Sequence, residues 1–256
     1  MDFLHEGFYR PRSGKLINPI IAPIAIVMAR PVLALTVQFI FVFLFVKLHI
    51  QSPSVSVRNW WTVYGTLIDI TCLALVFRFT RLEGISLISL ISFEKKKLFK
   101  DLLLGIGIFI HVFPVAVLGG SLLAGLIAYG TIQPLLPEGA FVRTLPLWAV
   151  LFSRVIWWVI WSFTEELTYQ GYALPRLLAI TKYKWLAIAW VSFGWSLQHS
   201  FLPYINVQHA LFLFIMFVPL TLILQLIYLR LGRLMPVVVA HWLMDLTSVL
   251  FMLQVG

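Results

Sequence analysis

Residues 155–174, VIWWVIWSFTEELTYQGYAL, form a strongly apolar stretch that contains two adjacent carboxylates, Glu165 and Glu166. A run of about 20 mainly apolar residues is long enough to cross a bilayer as a helix. A carboxylate at that depth costs at least about 2.5–3.5 kcal/mol by insertion scales, and such residues usually face a functional cavity. This stretch therefore predicts a membrane helix whose ionisable groups serve a purpose other than packing.

The composition predicts the same class of protein for the whole chain. Of the 256 residues, 61% are hydrophobic and 11% are charged, whereas soluble domains average about 45–50% apolar and about 25% charged. We expect an all-α fold, a polytopic membrane helix bundle of seven or eight transmembrane helices. Seven apolar spans lie at about 31–49, 59–77, 102–128, 145–173, 185–205, 209–229 and 234–253.

We predict one transmembrane domain over residues 31–256, preceded by a cytoplasmic or interfacial segment over residues 1–30. Residues 18–30 are apolar but short and contain Pro23, and an eighth span there is the alternative. Residues 78–101 alternate apolar and basic side chains, which predicts an amphipathic element on the membrane surface. Its lysines could contact anionic lipid headgroups.

The distribution of basic residues predicts the orientation. Loops rich in Lys and Arg face the cytoplasm. The N-terminal segment, in which we count Arg30, and the loops before the third span, after the fourth and before the seventh are the basic ones. We expect an integral protein of a bacterial plasma membrane, with its N-terminus in the cytoplasm and its C-terminus outside. These loops also explain the net charge of +9, and we expect no nucleic-acid partner.

Ionisable side chains from three predicted spans fall at similar depths. Counted from the nearest basic residue at about 1.5 Å per helical residue, Glu166, His199, His241 and Asp245 lie roughly 12–22 Å into the membrane. Scattered core residues would not align in this way. Three pairs are one helical turn apart and are expected to share a helix face: His241 and Asp245, Glu166 and Gln170, and Glu165 and Tyr169.

This set of residues suits hydrolysis. A carboxylate and a histidine can share a water molecule and take its proton, while a second histidine with an acid one turn away can stabilise an oxyanion. The alternative is a polar cluster that only holds helices together. That structural interpretation is favoured for His111, Asp69 and Arg154 taken singly, although Arg154 lies close to the face of Glu165 and could tune it electrostatically.

Zinc is a minority alternative. Two histidines and two glutamates could bind Zn²⁺, but the chain contains no HExxH motif. We expect a metal-free site that needs no cofactor.

Three motifs carry a family resemblance: TEELTYQGYALPRL at 164–177, FGWSLQH at 193–199 and HWLMD at 241–245. In this order they resemble the CAAX protease and bacteriocin-processing family of intramembrane endopeptidases, whose eukaryotic relatives are the type II prenyl-protein endopeptidases. The family pattern is EExxxR, then FxxxH, then HxxxN or HxxxD. The resemblance covers about residues 140–254, and RLEGISL at 81–87 is similar to a stretch of bacterial members.

The resemblance implies an endopeptidase that hydrolyses a peptide bond in a membrane-associated peptide or protein, which would enter from the bilayer or the cytoplasm. It implies that Glu165 activates water together with His199. It also implies that His241 and Asp245 form the oxyanion site and that Glu166 supports the site.

The chain departs from the family pattern at two positions. Gln170 stands in place of the motif arginine, so Glu166 lacks the expected cation, and Trp195 stands in place of the motif phenylalanine. Asp245 is permitted by the pattern but adds negative charge beside an oxyanion. Two other functions stay open, a non-proteolytic immunity or scaffold protein on the same fold and a proton-coupled transporter. The sequence specifies neither the substrate nor the oligomeric state.

Overall fold

The computed structural model of the chain describes residues 20–137, 140, 142–181 and 183–256. The predictions that concern residues 1–19 and Lys182 lie outside these residues. Of these described residues, 82% are helical, and the predicted all-α membrane helix bundle is confirmed. Six helical stretches in the described part of the chain are long and apolar enough to cross a membrane: Ile21–Lys47, Trp61–Leu82, Leu87–Tyr129, Leu147–Ile180, Val207–Leu231 and Met235–Met252.

Two of these stretches are built from shorter helical pieces. The helices are α1 Ile21–Lys47, α2 Pro53–Asn59, α3 Trp61–Leu82, α4 Leu87–Ile91, α5 Leu98–Phe113, α6 Gly119–Tyr129, α7 Leu147–Phe152, α8 Trp158–Glu166, α9 Leu174–Ile180, α10 Lys184–Ser200, α11 Val207–Leu231 and α12 Met235–Met252. A 3₁₀ turn over Lys95–Lys97 precedes α5, and π-helical turns over Pro114–Leu118, Ser153–Trp157 and Leu167–Ala173 join α5 to α6, α7 to α8 and α8 to α9.

The first helix is longer than predicted. α1 begins at Ile21 rather than at residue 31, so residues 21–30 continue directly into the first span instead of forming a separate interfacial segment. Pro23 lies in the first turn of α1, where a missing backbone N–H breaks no intrahelical hydrogen bond. Pro31 is accommodated inside the helix.

The predicted span 185–205 corresponds to α10. This helix has 17 residues and is therefore short for a membrane span, which needs about 20. It nonetheless packs between α1 and α11 at the centre of the bundle, and its residues Val191 and Trp195 are almost completely buried. The count of seven spans stays a prediction.

The two ends of the bundle differ in character. At one end, Arg176 pairs with Glu83 and Arg233 pairs with Asp101. At the opposite end, strand β1, Arg143–Leu145, pairs in parallel with strand β2, Leu253–Val255. The first end carries the lysine-rich turn before α5, and the second joins the segment before α7 to the segment after α12. We refer to them as the basic end and the strand end.

The long helical stretch 87–129 changes partners along its length. α5 packs against α12, whereas α6 packs against α11. The change occurs at the π-helical turn Pro114–Leu118, where an extra residue widens the helix. In the half of the bundle near the strand end, the main partner of α6 is therefore α11.

Candidate active site

The four residues predicted to carry the chemistry converge from three helices. Glu165 Oε2, on α8, lies 3.8 Å from His199 Nε2 on α10 and 3.8 Å from His241 Nε2 on α12. Asp245 Oδ2 lies 3.7 Å from His241 Nε2, one turn away on the same helix. These separations are too long for direct hydrogen bonds, but they suit groups that contact the same small molecule.

The carboxylate of Glu165 is fully buried and held on both oxygens. Trp195 Nε1 donates to Oε2 at 2.5 Å. Gln198 Nε2 donates to Oε1, and Arg30 Nη2 approaches the same oxygen at 3.4 Å. The side chain therefore has one defined orientation, with Oε2 turned towards the two histidines.

Arg30 is a residue of the site that the sequence analysis placed elsewhere. We counted it among cytoplasmic basic residues, but it lies inside α1 and is completely buried. Its Nη1 pairs with Asp69 Oδ1 at 2.9 Å, and its Nε donates to Gln198 Oε1 at 2.5 Å. The available signal was its position within an unbroken apolar stretch, because a charged residue at membrane depth usually faces a partner.

Glu166 forms a hydrogen bond with a histidine of the site. Its Oε1 accepts a hydrogen bond from His241 Nδ1 at 3.0 Å. A histidine whose Nδ1 is fixed in this way presents Nε2 to its other side, here towards Glu165 and Asp245. The supporting role expected for Glu166 thus has a definite geometry.

Two predicted one-turn pairings are wrong. Tyr169 donates its hydroxyl to Gln198 Oε1 at 3.1 Å and to Gly194 O at 3.3 Å, and it does not contact Glu165 through that group. The amide of Gln170 is buried and has no hydrogen-bond partner among the residues that the structure describes. The physical reason is the π-helical turn Leu167–Ala173, because a wider turn shifts the residue that lies above Glu165 or Glu166.

Asp245 has a partner of its own. Ser162 Oγ, one turn before Glu166 on α8, donates to Asp245 Oδ2 at 2.5 Å. A hydroxyl donor on a carboxylate disperses its charge. The acidic residue beside the predicted oxyanion position is therefore not isolated.

Three other polar residues were singled out from the sequence, and they do not belong to the group that meets at Glu165 Oε2: Arg154, His111 and Asp69. Arg154 donates through Nη2 to Leu253 O at 2.6 Å and anchors the C-terminal strand instead of tuning Glu165. His111 Nδ1 contacts Gly107 O on its own helix, and the side chain is exposed. Asp69 is linked to the site through its ion pair with Arg30.

A cavity of about 300 Å³ borders the cluster. His199, His241 and Asp245 form its polar wall, whereas Glu165 lies behind them. The rest of the wall is mainly apolar and includes Phe113, Val117, Trp157, Trp161, Met216, Phe217 and Met244. The cavity suits an apolar segment presented to a small number of polar groups.

The cavity extends towards the strand end of the bundle. Its lining includes Arg143, His209 and Met252, which lie at that end. Burial lowers the pKa of the Arg143 guanidinium to about 10, so it stays charged at neutral pH, and it stacks over Trp61 at 5.1 Å. Under the predicted orientation this end is outside, whereas the sequence predicted substrate entry from the bilayer or the cytoplasm.

The geometry of the site also bears on metal binding. Among the described residues, no group of three or more His, Cys, Asp or Glu side chains is arranged to hold a metal ion. In addition, Glu165 Oε2 already accepts a hydrogen bond from Trp195. The metal-free site stays a prediction.

Part of the chain is similar to a known family. Residues 145–247 match the family described as Rce1-like, type II CAAX prenyl endopeptidase Rce1-like. The match contains all three motifs, and the resemblance to the CAAX protease family is confirmed. Together with the apolar helices, the match identifies an integral membrane protein. No curated protein and no solved structure gives a significant match.

Proposed function

We propose that the protein is an intramembrane endopeptidase that hydrolyses a peptide bond in a membrane-associated peptide or protein. The observation that carries the proposal is the convergence of Glu165 Oε2, His199 Nε2 and His241 Nε2 at separations of 3.8 Å beside an apolar cavity. The Rce1-like match over the same helices supports it, because that family consists of proteases.

Water activation falls to Glu165 and His199. A water molecule at hydrogen-bond distance of about 2.8 Å from both Glu165 Oε2 and His199 Nε2 fits between atoms that are 3.8 Å apart. The pair takes one proton as the water oxygen attacks the substrate carbonyl carbon. The same proton is then returned to the leaving amine when the C–N bond breaks.

Oxyanion stabilisation falls to His241 and the groups around it. With both ring nitrogens protonated, His241 donates Nδ1–H to Glu166 and Nε2–H to the developing oxyanion. Ser162 holds Asp245 beside the ring. Glu166 thereby acts through the histidine, as the orienting carboxylate does in other hydrolases.

The substrate would present an apolar segment to the cavity. Aromatic and methionine side chains dominate the wall, and they accept varied apolar shapes. This chemistry fits a prenylated tail, a peptide pheromone or a bacteriocin leader. We propose a plasma-membrane location with the basic end in the cytoplasm, as the charge distribution indicates.

Cleavage by the purified protein in lipid nanodiscs tests the proposal. Candidate membrane peptides are incubated with the protein, and new peptide termini are identified by mass spectrometry. We expect Glu165→Gln and His199→Ala each to abolish cleavage. Both variants should stay folded, with thermal unfolding temperatures close to that of the wild-type protein. Glu94→Gln is the matched control, because Glu94 is exposed and pairs only with Lys97 among the described residues. Normal cleavage by the Glu165 variant would refute the mechanism.

Metal independence has its own measurement. Because we propose a metal-free site, cleavage should be unchanged after dialysis against a chelator. Loss of cleavage that zinc restores would favour the alternative in which Zn²⁺ is held by the glutamate and histidine cluster.

A further inference from the structure

We infer that Arg30, on α1, is a positioning residue that holds Glu165 ionised and aimed at the two histidines. The inference rests on the proposed function and adds to it a residue outside the family match, which covers residues 145–247. Arg30 does not line the cavity, so it acts through Glu165 and not on the substrate.

Each of the three nitrogens of the Arg30 guanidinium has a partner inside the bundle. Nη1 pairs with Asp69 Oδ1 at 2.9 Å, Nη2 approaches Glu165 Oε1 at 3.4 Å, and Nε donates to Gln198 Oε1 at 2.5 Å. Its plane lies 4.5 Å from the ring centroid of Trp161. A planar fork that is held on three edges and one face has little freedom to move.

Arg30 also determines the orientation of the second group that holds Glu165. Gln198 Oε1 accepts from Arg30 Nε and from the Tyr169 hydroxyl. Since one end of the amide must accept and the other must donate, these two donors direct Gln198 Nε2 towards Glu165 Oε1. Arg30 therefore supplies one contact to Oε1 and fixes the other.

The contacts to Oε1 of Glu165 explain the direction of Oε2. With Oε1 engaged by Arg30 and Gln198, Oε2 is left to face Trp195 and the two histidines. In the part of the chain that the structure describes, Arg30 is the one Lys or Arg at ion-pair distance from Glu165. A nearby cation favours the ionised form of a carboxylate, which a proton acceptor requires.

A competing explanation is that Arg30 serves only as the counter-ion of Asp69. A single Arg30→Met variant does not separate the two explanations, because it leaves two buried carboxylates without their cation, which is strongly destabilising by itself. The double variant Arg30→Met/Asp69→Asn does separate them. It removes one positive and one negative charge, so the net charge of the cluster with Glu165 is unchanged.

The decisive measurement is kcat and KM of the nanodisc protein for a cleaved peptide. We expect Asp69→Asn to keep kcat within about threefold, and Arg30→Met/Asp69→Asn to lower kcat about 10- to 100-fold with KM unchanged, as loss of a charge-assisted hydrogen bond predicts. If kcat of the double variant equals kcat of Asp69→Asn, the inference is overturned and the peptidase proposal still stands. Failure of the wild-type protein to cleave any peptide would overturn both.

A second variant keeps the test decisive if the double variant does not fold. Arg30→Lys retains the charge, but an ammonium group lacks the fork that spans Asp69, Glu165 and Gln198. We expect kcat to fall about tenfold with KM unchanged. A kcat equal to that of wild type would show that the shape of the Arg30 guanidinium does not position Glu165.

Discussion

Glu166 Oε1 lies 3.0 Å from His241 Nδ1, so the second carboxylate of the adjacent pair orients a histidine on another helix. The first carboxylate, Glu165, is held instead by Trp195 and by the Gln198–Arg30 pair. Neighbouring residues on an α-helix point about 100° apart. The carboxylates of Glu165 and Glu166 therefore point in different directions, and each contacts a different set of partners.

Neutralising Glu166 should impair catalysis without weakening substrate binding. Glu166→Gln keeps the size of the side chain but removes the charge that faces the His241 imidazolium, so we expect kcat to fall at least about 100-fold, as in hydrolases whose orienting carboxylate is neutralised. KM should be unchanged, because Glu166 is buried and does not line the cavity. Steady-state kinetics on a cleaved peptide measures both constants, and Glu94→Gln is the exposed control. A change in KM alone would contradict the orienting role.

The membrane fold could be predicted from composition and the lengths of the apolar runs, because the bilayer imposes both. The beginning of α1 could not, since Pro23 resembles a helix breaker and is harmless in a first turn. Arg30 was misassigned for the same reason. If α1 began at residue 31, Arg30 would lie just before the helix, where an arginine side chain is expected to face water.

Asp245 should be replaceable by its neutral isostere. Asp245→Asn retains a group that can contact Ser162 and His241 and removes a negative charge beside the oxyanion, so we expect kcat to stay within about threefold of wild type or to rise. Asp245→Ala should lose about tenfold or more, because it removes the contact to Ser162 Oγ and leaves that hydroxyl buried with fewer partners. The two variants are compared in one peptide-cleavage assay. Greater loss with Asn than with Ala would refute this role.

Gln170 should be dispensable. Both polar atoms of its amide are buried and have no hydrogen-bond partner among the described residues, and Glu166 has His241 as its partner instead. Replacing an unsatisfied buried amide by an apolar side chain of similar size is often neutral or stabilising. We expect Gln170→Leu to keep kcat and to raise the thermal unfolding temperature, measured in nanodiscs. Loss of cleavage in a folded Gln170→Leu variant would show that the amide takes part in the site.

The convergence of Glu165, His199, His241 and Asp245 could be predicted, but the part played by Arg30 and several of the contacts could not. His241 and Asp245 lie on regular α-helix, so the one-turn rule placed them correctly on one face. The same rule failed for Tyr169 and Gln170, because a π-helical turn follows Glu166. Hydrophobic periodicity carries no signal for such a turn, which tertiary packing selects.

The close approach of α1 to α10 should be essential for the site. A Cβ added to Gly194 would lie 2.3 Å from Val27 Cγ1 and 2.8 Å from Val27 O, so Gly194→Ala must push apart the helices that carry Arg30 and Gln198. We expect a destabilisation of about 1–3 kcal/mol and a reduced kcat. Gly107→Ala is the matched control, because nothing lies within 4 Å of its added Cβ and alanine favours the helix by up to about 1 kcal/mol. The thermal unfolding temperature should therefore fall for Gly194→Ala and rise for Gly107→Ala, and kcat should fall only for Gly194→Ala. Equal stability of the two variants would contradict the close packing.

The access route can be tested by labelling single cysteines in intact bacterial cells. Cys72, the one cysteine of the chain, is buried and is first replaced by alanine. Met252 lines the cavity at the strand end, and Lys96 lies in the exposed turn at the basic end. Because the positive-inside rule places the lysines in the cytoplasm, a membrane-impermeant maleimide should label Met252→Cys in intact cells and Lys96→Cys only after permeabilisation.

The same pair of variants distinguishes two routes to the site. Labelling of Met252→Cys from outside, together with its slowing by a cleaved peptide, would place substrate access at the strand end, where the cavity extends beside α6 and α12. Labelling of Lys96→Cys in intact cells, with Met252→Cys labelled only after permeabilisation, would reverse the orientation. In that case the cavity would open to the cytoplasm, one of the two entry routes expected from the sequence, and the basic end would face outside, in conflict with its charge.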